Sequence, residues 1–420
     1  MMIPMIDPSA GHLTQVMDSA VDQLFAAGAS DITIQSDDYV WAYINRRHTR
    51  VSTRRLDDGE VSTVIRHLYK NDGVFGMMGS GKGVDFDTDI RPRLIADRKN
   101  FDPDYSVRCR ANLTACRVGT VANGYSLTLR TIPGVPPPFK SLHLPHAVAD
   151  CFFPSQGLVL VVGITGSGKS TLLAASMREL LENPERPVKI GTYEEPIEFV
   201  YPRVPVIGSD PGNPQVGMPE VSQVQIGSHL KHFEMAAPNA LRRKFDVLVM
   251  GEMRDKGSVE TGLLLASTGH ATYATLHCET PAEAVGRILS EFPYDAQPSV
   301  ANKLLANLRV IVAQKIERNE QGKGVAFRSW CIFDQAFKAE LYEMQHQHWG
   351  RHIEKRMQVN GSTFAQQAYG QYICGEISES TFANIAGFNP VEAREYLAKR
   401  RAAEHRELCL KQTEEVAHAF

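Results

Sequence analysis

The sequence predicts an α/β protein of two domains with a helical C-terminal extension, and three observations carry that reading. The first is a strand–loop–helix unit near the middle. The apolar run Gly157–Val162 leads into Gly163-Ile164-Thr165-Gly166-Ser167-Gly168-Lys169-Ser170-Thr171, and a helical pattern follows from Thr171 to Glu182. The second is the proline-rich segment Thr131–Phe139, which reads as a stiff, partly extended connector and not as a core element. The third is a change beyond about residue 336 to helical, strongly charged sequence. The expected division is an N-terminal α+β domain over 1–133, a linker over 134–139, a second domain over 140–335 and a helical extension over 336–420.

The central unit fits the phosphate-binding template Gly-x4-Gly-Lys-Ser/Thr in full, between the strand and the helix that the template requires. A short β-branched run suits a strand buried on both faces. Glycines let the backbone close around phosphate oxygens with its N–H groups turned inward at the positive helix end. Thr165, Gly166, Ser167, Gly168, Lys169, Ser170 and Thr171 are therefore the expected nucleotide contacts. In that template the Lys169 ammonium reaches the β- and γ-phosphates and the Ser170 hydroxyl ligates Mg²⁺.

The chain of 420 residues is long enough for two or three cores, and its net charge of −3 exerts no global pull toward nucleic acid or anionic lipid. No apolar run approaches the roughly 20 residues that span a bilayer. The start Met1-Met2-Ile3-Pro4 lacks the regions of a signal peptide. Seven scattered cysteines without a CxxC pair read as reduced thiols, with Cys109 and Cys116 as structural ones. Together these predict a cytosolic chain.

In the first domain, helical periodicity over about 12–27 ends at Gly28, a natural helix stop. Strands are expected at 30–35, 40–45, 106–116 and 124–130, with a second helix over 58–70. Strands mixed with two helices make this domain α+β. The second domain alternates strands and helices as a mostly parallel sheet does, with further strands at Val188–Tyr193, Asp246–Met250 and Ala271–Leu276. The Gly/Pro-rich insertion between Gly208 and Gly227 reads as an exposed loop, and Arg394–Glu415 as a solvated helix.

Four constellations could carry chemistry. Asp246–Glu252 delivers the Glu252 carboxylate just past a buried strand, where it helps hold Mg²⁺ in phosphate-loop enzymes. Thr192–Phe199 places three carboxylates after another strand, and Glu194 or Glu195 could deprotonate an attacking water. A solvated turn stopped by Pro196 reads equally well there. His270 and His277 bracket the third strand, where a histidine can donate to a γ-phosphate and register its loss. Arg108, Arg110, Arg117 and Arg130 gather in the last strands of the first domain; they suit either a solvated face or charge stabilisation on a phosphoryl group.

Taken together, these motifs resemble the type II/type IV secretion ATPase superfamily, whose members drive type II secretion, pilus extension and retraction, and conjugative transfer. Its elements occur here in order: the phosphate loop, the acidic box Thr192–Phe199, Gly251-Glu-Met-Arg-Asp255 and the histidine box Thr268–His277. Ala29–Gln35, Arg110–Asn112 and Leu129–Pro133 match the family's first domain, and Phe364–Tyr369 and Asn389–Glu392 resemble its pilus-retraction members. Ser30–Gln35, Leu127–Pro133 and Asn239–Lys244 are most similar to the DotB/TraJ group of type IVB secretion and IncI-type conjugation. Glu195 stands where many members have Asp, and the insertion around 208–219 has no assigned counterpart.

The resemblance implies a PAS-like first domain and a RecA-like P-loop second domain. It also implies ATP with Mg²⁺ as ligands and a homohexamer whose sites are completed across domains and subunits. Carried over by motif, Glu194 is the general base, Glu252 the second-motif glutamate, and His270 and His277 the γ-phosphate sensors. Arg110, Arg117 and Arg130 would supply charge from the first domain. The expected role is a cytoplasmic ATPase, recruited to the cytosolic face of the inner membrane, that powers a type IVB-like secretion or conjugation apparatus. A pilus-retraction motor is the alternative within the class and a nucleic-acid translocase the alternative outside it. No basic strip interleaved with stacking aromatics supports direct nucleic-acid binding.

Overall fold

A computed structural model describes residues 3–44, 47–81, 83–91, 106–118, 121–132, 135–201 and 218–417, the side chains of Val121 and of 404–417 excepted. The chain divides into two compact units, Met1–Gly134 and Val135–Phe420, and its architecture is mixed α/β.

The first unit holds six antiparallel strands in the order β3-β2-β1-β6-β5-β4. These are β1 (Ala29–Gln35), β2 (Trp41–Ile44), β3 (Arg47–Arg50), β4 (Val84–Ile90), β5 (Val107–Val118) and β6 (Val121–Thr131). Alternation decides the faces. Cys109, Ala111 and Leu113 of β5 point inward with Ile32, Ile34, Leu127 and Leu129. There they meet the apolar stripes of α1 (Leu13–Ala26) and α2 (Asp58–Tyr69). Helix α2 starts where Asp57 accepts from the Glu60 N–H and Glu60 reaches back to the Asp57 N–H, a reciprocal cap. Three elements escaped the sequence reading: β3, β4 and the short α3 (Gly73–Gly79). Asp85, Asp87 and Asp89 give β4 an acidic outer face, a composition that argues against a strand until its partner β5 supplies arginines.

The second unit is built on seven strands in the order β13-β12-β7-β11-β10-β8-β9. Six run parallel and only β13 is antiparallel. They are β7 (Gly157–Val162), β8 (Lys189–Glu194), β9 (Glu220–Gln225), β10 (Val247–Met250), β11 (Ala271–Leu276), β12 (Leu308–Arg318) and β13 (Gly324–Ile332). Strand β7 lies between β12 and β11, and every one of its side chains is buried. Leu158, Leu160 and Val162 face one core, and Val159 and Val161 face the other. The second core is closed by α4 (His146–Cys151) and by α5 (Lys169–Glu182), which carries Leu172, Ala175, Met177 and Leu181.

The first core is closed by α6 (Ala236–Leu241), α7 (Lys256–Ser267), α8 (Pro281–Leu289) and α9 (Gln297–Asn307). It continues without a break into α10 (Gln335–Tyr342), α11 (Trp349–Val359), α12 (Phe364–Ile373) and α13 (Glu379–Ala386) through Phe337, Trp349, Ile353, Phe364 and Phe382. The C-terminal helices thus share the core of the sheet. Helix α14 (Pro390–Ala417) departs from the expected solvated helix in its first turns, which bury Ala393 and Leu397.

The proline-rich segment also differs from expectation at its far end. Phe139 is buried against Phe152 and Phe153, with ring centroids 5.9 and 5.0 Å away, and the Pro136 carbonyl accepts from Arg178 at 2.6 Å. Burial of an aromatic ring outweighs the extended preference of the prolines beside it. Of the expected insertion, 208–217 lies outside the described residues, while Glu220–Gln225 is the edge strand β9. The hairpin β12–β13 was not expected, because Val310–Ala313 is a short apolar run that helix and strand readings share.

Candidate nucleotide-binding site

Parallel strands deliver their following loops to one edge of a sheet, and here that edge holds a cavity of about 170 Å³. Thr165, Gly166, Lys169 and Ser170 line it from the turn between β7 and α5; Glu194, Glu195 and Glu198 from the end of β8; Glu252 from the end of β10; and Thr275 and His277 from β11. Ser167, Gly168 and Thr171 form the back of the loop and the first helical turn and do not line the cavity.

Gly163, Gly166 and Gly168 all take positive φ, and the first and last also face close neighbours. Gly163 has φ +153° and Gly168 φ +81°. A Cβ at Gly163 would collide with the Gln314 carbonyl and the Ser167 hydroxyl, and one at Gly168 would lie 2.7 Å from Gln314 Nε2. Lys169 is 8% exposed, and its Nζ donates to the loop's own carbonyls at Gly163 (2.8 Å) and Ile164 (3.0 Å). Burial lowers its pKa, and the Glu252 and Glu198 charges counter part of that shift.

The carboxylates divide into distinct environments. Glu194 Oε1 is buried and, among the described residues, has no hydrogen-bond partner. Burial pushes the Glu194 carboxyl up to about 7; the nearby Glu198 adds to the shift, and Thr192 and Gln223 oppose it. Glu195 is instead paired with the Arg254 guanidinium. Glu252 lies 3.4 Å from His277 Nε2, the residue at the carboxyl end of β11. Asp255 caps α7 by accepting from the Ser258 N–H at 2.8 Å. The stretch Glu252–Asp255 therefore lines the cavity, anchors Glu195 and starts a helix, all within one turn.

His270 needs a correction. It sits at the amino end of β11, on the opposite edge of the sheet from the cavity, and is 8% exposed. Its Nδ1 lies 3.2 Å from the Leu265 carbonyl and 3.1 Å from Thr268 Oγ1, so it closes the end of α7. A strand of six residues holds its two ends about 20 Å apart, so the histidines cannot share one phosphate within a chain.

In the first unit, Arg110 and Arg130 are cross-strand partners on the outward face of β5 and β6. Arg130 also pairs with Asp31 at 2.7 Å, and Arg108 with Asp87 at 2.7 Å. Arg117 lies beside an irregularity in the β5–β6 pairing and stands well away from the other two.

The residues present fit a magnesium-bound nucleoside triphosphate. A glycine cradle that admits no side chain, a buried lysine, and the oxygen donors Ser170 and Glu252 in one cavity are the groups that such a ligand requires.

Comparison with known proteins agrees. The model of the Type II/IV secretion system protein family matches residues 143–386. The chain belongs to this family of secretion ATPases. It is 31% identical to the type IV pilus ATPase PilU of Pseudomonas aeruginosa, over 67% of this chain and 71% of that one. Among solved structures, the Legionella pneumophila ATPase DotB superposes with TM-score 0.78 at 31% identity, covering 92% of this chain and all (100%) of that one. The pilus retraction motor PilT with bound ADP superposes with TM-score 0.72 at 26% identity, covering 88% of this chain and 96% of that one.

Three parts of this family member's site were not found by sequence reasoning. Thr275 Oγ1 donates to the Gly251 carbonyl at 2.5 Å and ties the ends of β10 and β11 together. The Arg254–Glu195 pair spans β10 and β8. Gln314, 3% exposed, donates to the Ser167 carbonyl at 2.6 Å. A polar residue inside Val310-Ile-Val-Ala-Gln314 was the available signal, because a buried amide requires partners.

Proposed function

We propose that this chain binds ATP with Mg²⁺ and hydrolyses it to drive a type IVB-like secretion or conjugation apparatus. The reading is carried by one observation: the Glu194 carboxyl, with its pKa near 7, faces the same cavity as Lys169, Ser170 and Glu252. A base works best when its pKa lies near the working pH. Glu194 takes the proton of the attacking water, while Glu195 is held by Arg254 and positions the box. Lys169 exchanges its two loop carbonyls for phosphate oxygens. Mg²⁺, when bound by Ser170 and Glu252, neutralises charge on the phosphates. Glu252 holds His277 at the cavity mouth, from which the imidazole can donate to the terminal phosphate.

The remaining proposals rest on family membership and similarity. The working form is a homohexamer, cytoplasmic and docked at the inner face of the membrane. Among the described residues, no helix is long and apolar enough to cross a membrane. The first unit is PAS-like, the second RecA-like, and Arg110, Arg117 and Arg130 supply charge to a bound nucleotide. Turnover swings the first unit about the 131–139 connector. Similarity to PilU supports a second reading, a pilus-retraction motor.

Nucleotide binding and phosphate release by the parent chain and Lys169→Ala test the core of this proposal. Parent turnover that is lost in the variant is expected; equal turnover in both would refute it. Restored effector or DNA transfer in a deficient strain supports the secretion role, and restored twitching supports the retraction motor.

A further inference from the structure

We infer that Arg328 and Gln314 form a relay that sets the phosphate loop from behind, making Arg328 a positioning residue for nucleotide binding. The inference rests on the nucleotide reading above and extends it to a strand outside the recognised motifs. Gln314 on β12 and Arg328 on β13 are cross-strand partners, 3% and 6% exposed. Arg328 Nε donates to Gln314 Oε1 at 2.9 Å, and Gln314 Nε2 donates to the Ser167 carbonyl at 2.6 Å.

The direction of this relay follows from the chemistry of its first member. A guanidinium has donors and no acceptor, so the Gln314 amide must turn its oxygen to Arg328 and its NH₂ to the loop. The Ser167 carbonyl can only accept, so it favours the same orientation, and Arg328 holds the amide there by fixing its other end. In a trans peptide the C=O and the following N–H point in opposite directions. Drawing the Ser167 carbonyl toward β12 therefore turns the Gly168 N–H away from β12, which fixes the peptide plane at the back of the loop.

The fit is close at two of the loop's glycines. A side chain at Gly163 would strike the Gln314 backbone carbonyl, and one at Gly168 would strike the Gln314 amide. Burying a guanidinium is unfavourable unless it is needed for something. Burial lowers the Arg328 pKa to about 10, which leaves it charged at neutral pH, and no charged partner contributes to that shift. Among the described residues the Arg328 side chain has no carboxylate partner and one hydrogen bond, and that bond orients Gln314.

The test uses the full chain, a fluorescent ADP analogue with Mg²⁺, and steady-state ATP turnover. Arg328→Met removes the donor at similar volume. Gln314→Glu keeps a partner for Arg328 but has no N–H for the Ser167 carbonyl, so it preserves the test should Arg328→Met fail to fold. Both variants should weaken ADP about ten-fold, equivalent to about 1.4 kcal/mol. KM should rise by a similar factor while kcat stays within about three-fold, because the loop's ground-state contacts persist in the transition state. Arg328→Lys should recover most of the affinity. Parent-like ADP binding by Gln314→Glu would overturn the relay, as would an affinity loss matched by collapse of that variant's nucleotide-free melting temperature. Failure of the parent itself to bind would overturn the nucleotide reading and this inference with it.

Discussion

The two ends of β11 make the most instructive comparison in the molecule. His277 follows the strand, beside Glu252 and the cavity; His270 precedes it and is tied to the end of α7. Both belong to one short motif and are the same residue type, yet only one meets the phosphate loop. The difference arises from the parallel sheet. Its carboxyl edge gathers a loop from β7, β8, β10 and β11, whereas its amino edge receives helix ends whose carbonyls need partners. Position along a strand therefore separates a histidine that lines the cavity from one that closes a helix end.

Substitutions at the two edges should separate by orders of magnitude. Lys169→Ala on the carboxyl edge should lower ATP turnover about 10³-fold and abolish measurable nucleotide binding, because the cradle loses its buried ammonium. Arg110→Ala and Arg130→Ala extend the comparison to the first unit, and each should lower turnover about 10²-fold with little change in melting temperature.

The histidine pair gives the sharpest contrast. His277→Ala should cost about ten-fold in kcat with an unchanged melting temperature. His270→Ala should leave kcat within about two-fold and lower the melting temperature by several degrees, through loss of a buried hydrogen bond worth about 1–3 kcal/mol. The opposite pattern would reverse the assignment of the two edges.

The smallest expected effect is on stability. Folding raises the Glu194 carboxyl from 4.5 to about 7, so the folded chain holds a proton that the unfolded chain has released. Stability is therefore fully present below about pH 4.5 and is lost as pH rises through 7. Glu194→Gln escapes that loss. Relative to the parent, it should gain about 2 kcal/mol more at pH 8 than at pH 5.5, measured by urea unfolding.

What the sequence made legible follows from the same geometry. The phosphate loop could be read because its chemistry lies within nine consecutive residues, and β7, β8, β10 and β11 because buried parallel strands are plain apolar runs. Glu252 could be read because it directly follows such a run. The placement of His270 was implicit in the predicted parallel sheet, where a residue preceding a strand lies on the amino edge, but the histidine-box resemblance led the other way. Glu194 and Glu195 were inseparable for a different reason: the burial of one and the Arg254 pairing of the other are long-range facts. Gln314 and Arg328 lie on a hairpin that carries no motif, and only the sheet order brings them behind Ser167.

The central claim is that Glu194 serves as the base at the edge where the parallel strands converge. The most direct measurement is single-turnover phosphate release from Mg-ATP between pH 5.5 and 8.5, for the parent and for Glu194→Gln. The parent should rise about ten-fold per pH unit at the acid end and level off above about 7, while the variant should be at least 10²-fold slower and flat across the range. A Glu194→Gln chain that keeps the parent's rate and pH profile would contradict the account.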